Sequence, residues 1–483
     1  MLSIYLIEFA LELQVFANYN FAYAKIRAFK QKVLLMLRFA PSPTGDMHTG
    51  NLRAAVFNYI LAKQRNEKFL LRIEDTDTAR NIEGKDKDIM FLLNLFGITW
   101  DNLVYQSHNF PRHRQLAEYL IQKGDAFYCY CTKEFLDQKR ELAKANHQAF
   151  RYDDDWAELE KDKNPHPVVR LRAPKEQMGF HDAIKGDITF APSEIDSFII
   201  LKEDGIPTYN FACAVDDMLY DIDFIVRGED HVSNTPKQIL IHQCLNYDKT
   251  MQFAHLPIIL NEEGKKMSKR DNASSVQWLL DCGFLPQAIV NYLVLMGNKT
   301  PCEVFTLKEC MEWFDITKIA KAPARFDIDK LKFLNREHFK RLNEQDLAVL
   351  LGYKDSAIGA LAKLYLQEAS TLNEIREKVD LIFAKKSLLL AQYKESAKTE
   401  NAEILEFESQ VKTLQDTLLT MLNQDCSKTE FDTFKSNAMQ NSGLKGKAFF
   451  KPLRFLLTGL AHGPQLSDLF PILRLYLKDI VRN

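Results

Sequence analysis

The sequence predicts an α/β fold built on a doubly wound parallel sheet and followed by a long helical region. In the first part of the chain, short apolar strands alternate with helical segments, the order that produces a parallel sheet with helical crossovers. From Leu342 onward β-branched runs disappear and helical periodicity dominates. A chain of 483 residues, 46% of them hydrophobic, is long enough for about two to four domain cores.

The first predicted strand runs from Val33 to Ala40 and leads into the loop PSPTGDMHTG. Prolines and glycines keep this loop irregular, so a turn follows the strand. The next segment carries apolar residues at the spacing of one helical face. These residues are Leu52, Ala55, Val56, Tyr59 and Ile60.

A second strand is predicted from Phe69 to Ile73, followed by a second helix that ends at Gly97, a residue suited to a helix C-terminal cap. The apolar face of that helix consists of Ile89, Leu92, Leu93 and Phe96. Strand, helix, strand and helix in this order favour a doubly wound sheet.

The pattern from Phe127 to about Lys185 is irregular and mixed, which predicts an α+β insertion into the sheet. We expect the strands of the sheet to return at Ser197–Lys202 and Asp223–Arg227, with a helix from about Ser233 to Cys244.

The last third of the chain is predicted to be helical and contains a basic stretch. Its helical period is clearest in Ile404, Phe407, Val411, Leu414, Leu418 and Met421. From Lys435 to Asn483 there are eight Lys or Arg against two Asp or Glu, a balance of +6 in a chain whose formal net charge is −2. Charge alone leaves two interpretations open, a surface for a polyanion or a solvated face.

Composition narrows the class of protein. Charges interrupt every apolar stretch before the roughly 20 residues that a membrane span needs, so we expect a soluble chain with no membrane association. The eight cysteines are scattered, which is typical of reduced thiols in a cytoplasmic protein. Residues 1–35 make a poor secretory signal because Glu8 and Glu12 interrupt them, and Met36 is a candidate first residue.

Two short motifs carry candidate chemistry. His48-Thr49-Gly50-Asn51 lies between a strand and a helix, where unpaired N–H groups attract phosphate, Gly50 allows close approach and the His48 side chain donates to phosphate oxygens. Lys266-Met267-Ser268-Lys269-Arg270 follows Gly264 in a polar loop, and its ammonium groups suit a triphosphate. Taken singly, the first motif also fits a loop histidine without function, and the second a solvated turn.

The two motifs together resemble the signature pair of class I aminoacyl-tRNA synthetases. Longer segments, RFAPSPTGDMHTGNLRAA, RIEDTD and VRGEDHVSNTPKQ, resemble bacterial glutamyl-tRNA synthetases almost letter for letter. Further similar segments are IPTYNFACAVDD, FDIDKLKFLN and GKAFFKPLRFLLTGLAHGP. The resemblance covers nearly the whole chain from Met36 and is weakest in the insertion and in the middle of the helical region.

The resemblance implies a glutamate pocket. Arg38 and Arg227 match the arginines that grip the γ-carboxylate, a task for which a planar guanidinium fork is suited. Glu74 matches the acceptor of the substrate ammonium group, and Ser42 and Tyr209 match hydroxyl residues lining the pocket. The alternatives are a strand-end salt bridge, a surface carboxylate and a tyrosine satisfied in the core. The residues that match the ATP site are His48, Gly50, Lys266, Met267, Ser268, Lys269 and Arg270.

The resemblance also implies the reaction and the domain order. We expect a monomer that joins L-glutamate to tRNA(Glu) with ATP and Mg²⁺, with activation requiring bound tRNA. The expected ranges are an N-terminal extension (1–35), a Rossmann-like catalytic domain (36–126 and 191–335, the latter with the KMSKR loop), an inserted acceptor-stem-binding domain (127–190) and an all-helical anticodon-binding region (336–483). Candidate tRNA contacts in the basic stretch are Lys447, Lys451 and Arg454.

Several alternatives stay open. The enzyme could also charge tRNA(Gln) with glutamate, since the anticodon contacts are not readable from the residues. A non-catalytic tRNA-binding paralogue is disfavoured because His48, Gly50, Lys266 and Lys269 are present. An enzyme that glutamylates a modified tRNA base is disfavoured by the helical third, and a small-molecule nucleotidyltransferase by the RGEDH segment and the helical third.

We expect no structural zinc, although Cys129 and Cys131 form a CxC pair like that of some bacterial relatives. Structural zinc normally takes four ligands. The stretch where the second ligand pair should lie reads RYDDDW, without cysteine or histidine. His147 and His166 on either side, or the aspartates, leave a rearranged site open. Otherwise Cys129 and Cys131 are small, buried or half-buried strand residues.

Overall fold

The computed structural model describes residues 36–268, 271–396, 401–422 and 429–483. The expectations for residues 1–35, Lys269 and Arg270 lie outside this part of the chain. The fold divides into two compact units. The first comprises the described residues through Leu260 with Gly297–Thr300 and Lys308–Ala324, and the second comprises Asn261–Met296, Pro301–Leu307 and the described part of Arg325–Asn483. In the described ranges, no helix has both the length and the apolar character needed to cross a membrane.

The strands are short and fall mainly in the first unit. They are β1 (Met36–Phe39), β2 (Lys68–Ile73), β3 (Asn102–Tyr105), β4 (Ala126–Cys129), β5 (Val168–Leu171), β6 (Met178–Asp182), β7 (Gly186–Phe190), β8 (Phe198–Leu201), β9 (Phe224–Gly228), β10 (Gln252–Leu256), β11 (Ile259–Leu260) and β12 (Ala324–Arg325).

The helices follow the strands in the first unit and make up most of the second. They are α1 (Thr49–Gln64), α2 (Lys85–Leu95), α3 (Phe110–Lys123), α4 (Lys133–Ala145), α5 (Tyr209–Leu219), α6 (Thr235–Cys244), α7 (Val276–Asp281), α8 (Pro286–Leu295), α9 (Leu307–Trp313), α10 (Ile328–Arg341), α11 (Glu344–Leu351), α12 (Ser356–Leu364), α13 (Leu372–Phe383), α14 (Lys386–Ser396), α15 (Asn401–Met421), α16 (Phe431–Ser442), α17 (Lys447–Thr458), α18 (Leu466–Leu473) and α19 (Leu477–Arg482).

The central sheet of the first unit is parallel. Strand β2 pairs in parallel with β1 and β3, and β10 pairs in parallel with β9 and β6. A parallel bridge between Met36 and Ile222 joins the two halves beside β1 and β9. Helix α1 packs against β1, β2 and β9, and its residues are buried from Leu52 to Ala62. The predicted doubly wound α/β fold is confirmed.

The inserted segment forms its own antiparallel sheet, in the order β4, β5, β8. Here the pairing differs from the expectation. The strand expected to rejoin the parallel sheet at 197–202 is β8, which pairs with β5 and packs Ile200 and Leu201 into a core with Val169 and Leu171. Apolar periodicity predicts that a segment is a strand but does not select its partner.

Strand β6 also differs from the expectation, because it belongs to the parallel sheet and not to the inserted one. It lies within the range expected for the insertion, yet it pairs with β10 and so extends the parallel sheet, with β7 as its antiparallel neighbour. The β6–β7 hairpin turns at Gly186, whose φ of +88° is a conformation that favours glycine.

The second unit is dominated by helices around one apolar core. Of the six residues that give α15 its predicted period, Phe407, Val411, Leu414 and Leu418 are buried in that core, and Met421 is partly buried against it. Ile404 is buried but does not belong to this core. The predicted helical character of the C-terminal third is therefore confirmed.

Helices α11 and α12 make a close contact at Gly359. A Cβ placed on this glycine would lie 1.8 Å from the carbonyl oxygen of Glu344. Helix propensity alone favours alanine over glycine by about 1 kcal/mol. The clash outweighs this gain because backbone cannot move aside cheaply, so we expect Gly359→Ala to lower the free energy of unfolding by about 2 kcal/mol or more. Urea unfolding followed by circular dichroism measures the change.

The matched control is Ser356→Ala in the exposed first turn of the same helix, which should change stability by at most about 0.5 kcal/mol. A Gly359→Ala protein as stable as the unaltered chain would contradict the close contact.

Candidate active site

Charged side chains converge where parallel strands of the first unit end. Arg38 lies in β1, Glu74 directly follows β2 and Arg227 lies in β9. All three are almost fully buried. Because the carboxyl ends of parallel strands share one edge of the sheet, the fold brings together residues that are far apart in the chain.

The buried carboxylate of Asp217 links Arg38 to another arginine, Arg72 in β2. The Nε and Nη2 atoms of Arg38 lie 3.1 and 3.4 Å from the two carboxylate oxygens of Asp217, and Nη1 of Arg72 donates to Asp217 Oδ1 at 2.6 Å. Nη2 of Arg72 donates to Glu74 at 3.1 Å. Burial of Asp217 opposes its ionisation, but Arg38 and Arg72 outweigh this and hold its pKa well below the usual range.

Tyr209, the first residue of α5, completes this pocket. Its hydroxyl lies 3.1 Å from Nδ1 of His231. Burial raises the pKa of Tyr209 strongly; the charge of Glu74 acts in the same direction, and Arg227 and Arg38 oppose it. Tyr209 is therefore neutral, and the charges of Glu74, Arg227 and Arg38 act on its pKa. Ser42, by contrast, is exposed in the loop after β1.

Arg227 donates its hydrogen bonds to uncharged side chains and not to a carboxylate. Its Nη1 donates to the side-chain oxygen of Gln238 at 2.9 Å, its Nη2 to Thr235 Oγ1 at 2.8 Å and its Nε to Nε2 of His255 at 3.2 Å. The prediction missed these partners, as it missed Asp217. Asp217, Thr235 and Gln238 lie inside the segments that carry the family resemblance, which was the available signal.

The HTGN motif begins α1 as expected. His48 is the residue before the first turn, with extended backbone (φ −81°, ψ 152°). Gly50 is exposed in that first turn, and apart from its two chain neighbours and the backbone of its own helix, no described atom lies within 4 Å of the place where a Cβ would be. The helix N-terminus is thus open to a group that approaches the backbone at Gly50.

The KMSKR segment belongs to the second unit, and the structure describes it through Ser268. Lys266 and Ser268 are exposed and Met267 is half-buried. Asp271 closes the loop: it accepts from the Ser268 backbone N–H at 2.8 Å, the Ser268 hydroxyl at 3.0 Å and the Asn261 side chain at 3.0 Å. These hydrogen bonds, that of Asn261 first, lower the pKa of Asp271. Asp271 is another residue that the sequence prediction missed.

The three basic residues expected to contact tRNA differ in environment. Lys447, the first residue of α17, is exposed. The ammonium of Lys451 donates to the Tyr393 hydroxyl at 2.9 Å and lies 4.7 Å from the ring centre of Phe407. Arg454 donates to the backbone oxygen of Pro464 at 2.8 Å. Two of the three therefore support the packing of the helical unit.

The CxC pair lies at the end of β4. Cys129 and Cys131 are buried, and the hydroxyl of Tyr152 donates to Cys129 Sγ at 3.1 Å. The Arg170 guanidinium lies 3.8 Å from the centre of the Tyr152 ring. Within the described ranges, no three His, Cys, Asp or Glu side chains are grouped so as to hold a metal ion. The absence of zinc stays a prediction.

Comparison with known proteins identifies the family. Residues 34–333 match the family described as class I tRNA synthetases (E and Q), catalytic domain, and residues 317–474 match an anticodon binding domain. The glutamate–tRNA ligase 2 of Wolinella succinogenes is 66% identical over 448 residues, covering 92% of this chain and 99% of that protein. A protein of Helicobacter pylori named GlutamylGlutaminyl-tRNA synthetase is 53% identical over the same coverage.

A solved structure has the same fold. The glutamate tRNA ligase of Elizabethkingia meningosepticum, crystallised in complex with its amino acid, superposes with a TM-score of 0.73 at 24% identity, covering 93% of this chain and 98% of that one. The family match spans most of the chain, and the motifs and the parallel sheet agree with it. The chain therefore belongs to the class I tRNA synthetases and, within them, to the glutamate–tRNA ligases.

Proposed function

We propose that this chain activates L-glutamate with ATP and transfers it to the 3′ end of tRNA(Glu). The proposal is supported by a buried cluster at the edge of the parallel sheet, in which Asp217 and Arg72 link Arg38 to Glu74. Arg227 is almost fully buried in β9, and the charges of Arg38, Glu74 and Arg227 all act on the pKa of Tyr209. Two guanidinium groups suit the γ-carboxylate, and one carboxylate suits the ammonium group, so the pocket matches both charged groups of glutamate that do not react.

The reaction takes place in two steps. The α-carboxylate of glutamate attacks the α-phosphorus of ATP, which forms glutamyl-adenylate and releases pyrophosphate. The 2′-hydroxyl of the terminal ribose then attacks the carbonyl carbon, and AMP leaves. Neither step needs a covalent bond to the protein, so the protein contributes positioning and charge stabilisation.

His48 and the N-terminus of α1 provide donors for phosphate oxygens, with Gly50 allowing the nucleotide to approach the backbone. Lys266 and Lys269 supply positive charge as pyrophosphate departs, and Asp271 keeps the loop that carries Lys266 in one conformation. Mg²⁺ enters with ATP, because phosphate oxygens and water are the hard ligands it prefers.

The helical region binds the anticodon arm. Lys447 is the best placed of the basic residues to contact phosphate, since Lys451 and Arg454 have partners inside the helical unit. The chain acts as a monomer in the cytoplasm. A second substrate, tRNA(Gln), is favoured by the Helicobacter pylori relative whose name covers both amino acids.

Charging purified tRNA(Glu) and tRNA(Gln) separately with radiolabelled glutamate tests the function. We expect ATP-dependent, acid-precipitable label on tRNA(Glu). Label on tRNA(Gln) as well would establish the broader specificity. Absence of label on both tRNAs, with a correctly folded protein and ATP present, would contradict the proposal and favour a non-catalytic tRNA-binding protein.

Replacing Arg38 tests the pocket. We expect Arg38→Ala to lower kcat/KM for glutamate by a factor of about 100, or about 3 kcal/mol, because a desolvated substrate carboxylate loses a charged partner. Steady-state aminoacylation at varied glutamate concentration measures the change. Thermal unfolding must be followed in parallel, since the variant also removes a partner of Asp217.

The matched control is Arg112→Ala, an exposed arginine whose side chain bonds only to Gln115 among the described residues. It should leave kcat/KM unchanged. An Arg38→Ala enzyme with near-normal kcat/KM for glutamate would show that the pocket is assigned wrongly.

Replacing Lys269 tests the loop. We expect Lys269→Ala to lower the rate of adenylate formation about 100-fold with little change in the KM for glutamate, because its charge acts in the transition state. Pyrophosphate exchange in the presence of tRNA(Glu) measures this rate. Lys265→Ala, which removes an exposed lysine paired with Glu263, is the control. A defect confined to the KM for glutamate would place Lys269 elsewhere.

A further inference from the structure

A buried chain of three side chains that ends at Arg227 runs across the neighbouring strands β6, β10 and β9. Asp182, the last residue of β6, contacts His255 in β10, and His255 contacts Arg227 in β9. The distances are 2.6 Å from Asp182 Oδ2 to His255 Nδ1 and 3.2 Å from Arg227 Nε to His255 Nε2. Asp182 and His255 are almost completely buried. Neither belongs to a recognised motif of the sequence.

The donors and acceptors along this chain determine where the proton of His255 lies. A guanidinium Nε can only donate, so His255 Nε2 accepts from Arg227. An ionised carboxylate can only accept, so His255 Nδ1 carries the proton and donates it to Asp182. Burial lowers the pKa of His255, opposed by the hydrogen bond to Asp182, and the imidazole is therefore neutral. Only this tautomer satisfies both neighbours.

Asp182 is itself held rigidly. Its Oδ1 accepts from the backbone N–H groups of Ile184 and Lys185 at 2.9 and 2.7 Å, and its Oδ2 accepts from the backbone N–H of His255 at 2.9 Å. Although burial opposes ionisation, the hydrogen bond from His255 and those backbone donors lower the pKa of Asp182. The carboxylate is thus a fixed acceptor that sets both the tautomer and the ring orientation of His255.

The neutral imidazole has an electrostatic consequence for Arg227. Arg38 and Arg72 are matched by the two carboxylates of Asp217 and Glu74, so those four charges cancel. Among the described residues, the hydrogen-bond acceptors of Arg227 are all uncharged groups, on His255, Gln238, Thr235 and the backbone of His231. The guanidinium is oriented without being neutralised, and its charge stays available to an anionic substrate group.

We propose that Asp182 and His255 are a positioning pair that orients Arg227 and preserves its uncompensated charge for the γ-carboxylate of glutamate. The proposal rests on the proposed role of Arg227 in glutamate binding. A carboxylate in direct contact with Arg227 would orient it equally well but would remove the net positive charge of the cluster that Arg38, Arg72, Asp217, Glu74 and Arg227 form. Because His255 lies between Asp182 and Arg227, Arg227 is oriented without a carboxylate in direct contact with it.

The test uses His255→Gln and Asp182→Asn in the full-length enzyme. Asparagine has only one oxygen for two pairs of donors, the backbone N–H groups of Ile184 and Lys185 on one side and the backbone N–H and ring Nδ1 of His255 on the other. In the orientation that keeps Ile184 and Lys185 bonded, its NH₂ group faces His255. In that orientation the proton of His255 moves to Nε2, where it points at the Nε–H of Arg227, and Thr235 Oγ1, 3.1 Å away, is the nearest acceptor. We expect the KM for glutamate to rise about 10- to 100-fold in each variant, with kcat and the KM for ATP changed by less than about threefold.

A matched control exists in the neighbouring residue. His181 and Asp187 form a histidine–aspartate pair at 2.7 Å on the same hairpin, but both side chains are exposed. His181→Gln and Asp187→Asn repeat the same chemical changes outside the pocket and should leave the KM for glutamate unchanged.

A double-mutant cycle distinguishes positioning from a structural effect. If His255 acts through Arg227, the combination of Arg227→Gln with His255→Gln should raise the KM for glutamate no further than Arg227→Gln alone. Full additivity would overturn the proposal, because His255 would then act independently of Arg227.

The remaining outcomes separate this proposal from the one it rests on. If Arg227→Gln alone leaves the KM for glutamate near normal, the assignment of the pocket is wrong and the positioning pair loses its substrate role. If Arg227→Gln raises that KM but folded His255→Gln and Asp182→Asn enzymes do not, the pocket stands and the positioning pair is overturned. Thermal unfolding shows which variants are folded. One folded variant, either His255→Gln or Asp182→Asn, is sufficient for this decision.

Discussion

The buried carboxylate of Asp217 is the interaction on which the pocket depends. It joins Arg38 of β1 to Arg72 of β2 from its position on α5, so two strands and a helix share one charge. Removing any one of these almost fully buried groups would change the balance of buried charge, which costs far more than the net gain from forming the pair. The geometry of the sheet edge and the charge state of the pocket are therefore determined together.

Local patterns predicted most of the secondary-structure elements. The loop after β1, helices α1 and α2 and the inward face of α15 lie where apolar periodicity placed them. Arg38 and Glu74 lie in one buried cluster with Arg72 and Asp217, while their roles toward glutamate stay a prediction. These features depend on residues close in the chain or on long matching segments, which is why they could be read from the sequence.

What escaped prediction depends on contacts between distant residues. Asp217 is 179 residues from Arg38, and Asp182 is 73 residues from His255. Asp182 lies outside the segments that carry the family resemblance, and nothing in the segment that contains Asp217 indicates that its partner is Arg38. The pairing partners of β6 and β8 could not be predicted either, because an apolar strand is compatible with more than one sheet. For the same reason, the count of positive charges near the C-terminus could not distinguish exposed Lys447 from Lys451, whose ammonium is held by Tyr393.

The route of the chain through β6 and β7 limits how far the insertion can be treated as a module. A chimera that exchanged residues 127–190 for the equivalent segment of another enzyme would remove an edge of the parallel sheet and, with it, the buried carboxylate that contacts His255. An exchange that ended before Met178 would leave that edge in place but separate β8 from its partner β5. Strands of the inserted sheet and of the parallel sheet alternate along this part of the chain. A chimera therefore has no C-terminal boundary that keeps both sheets intact.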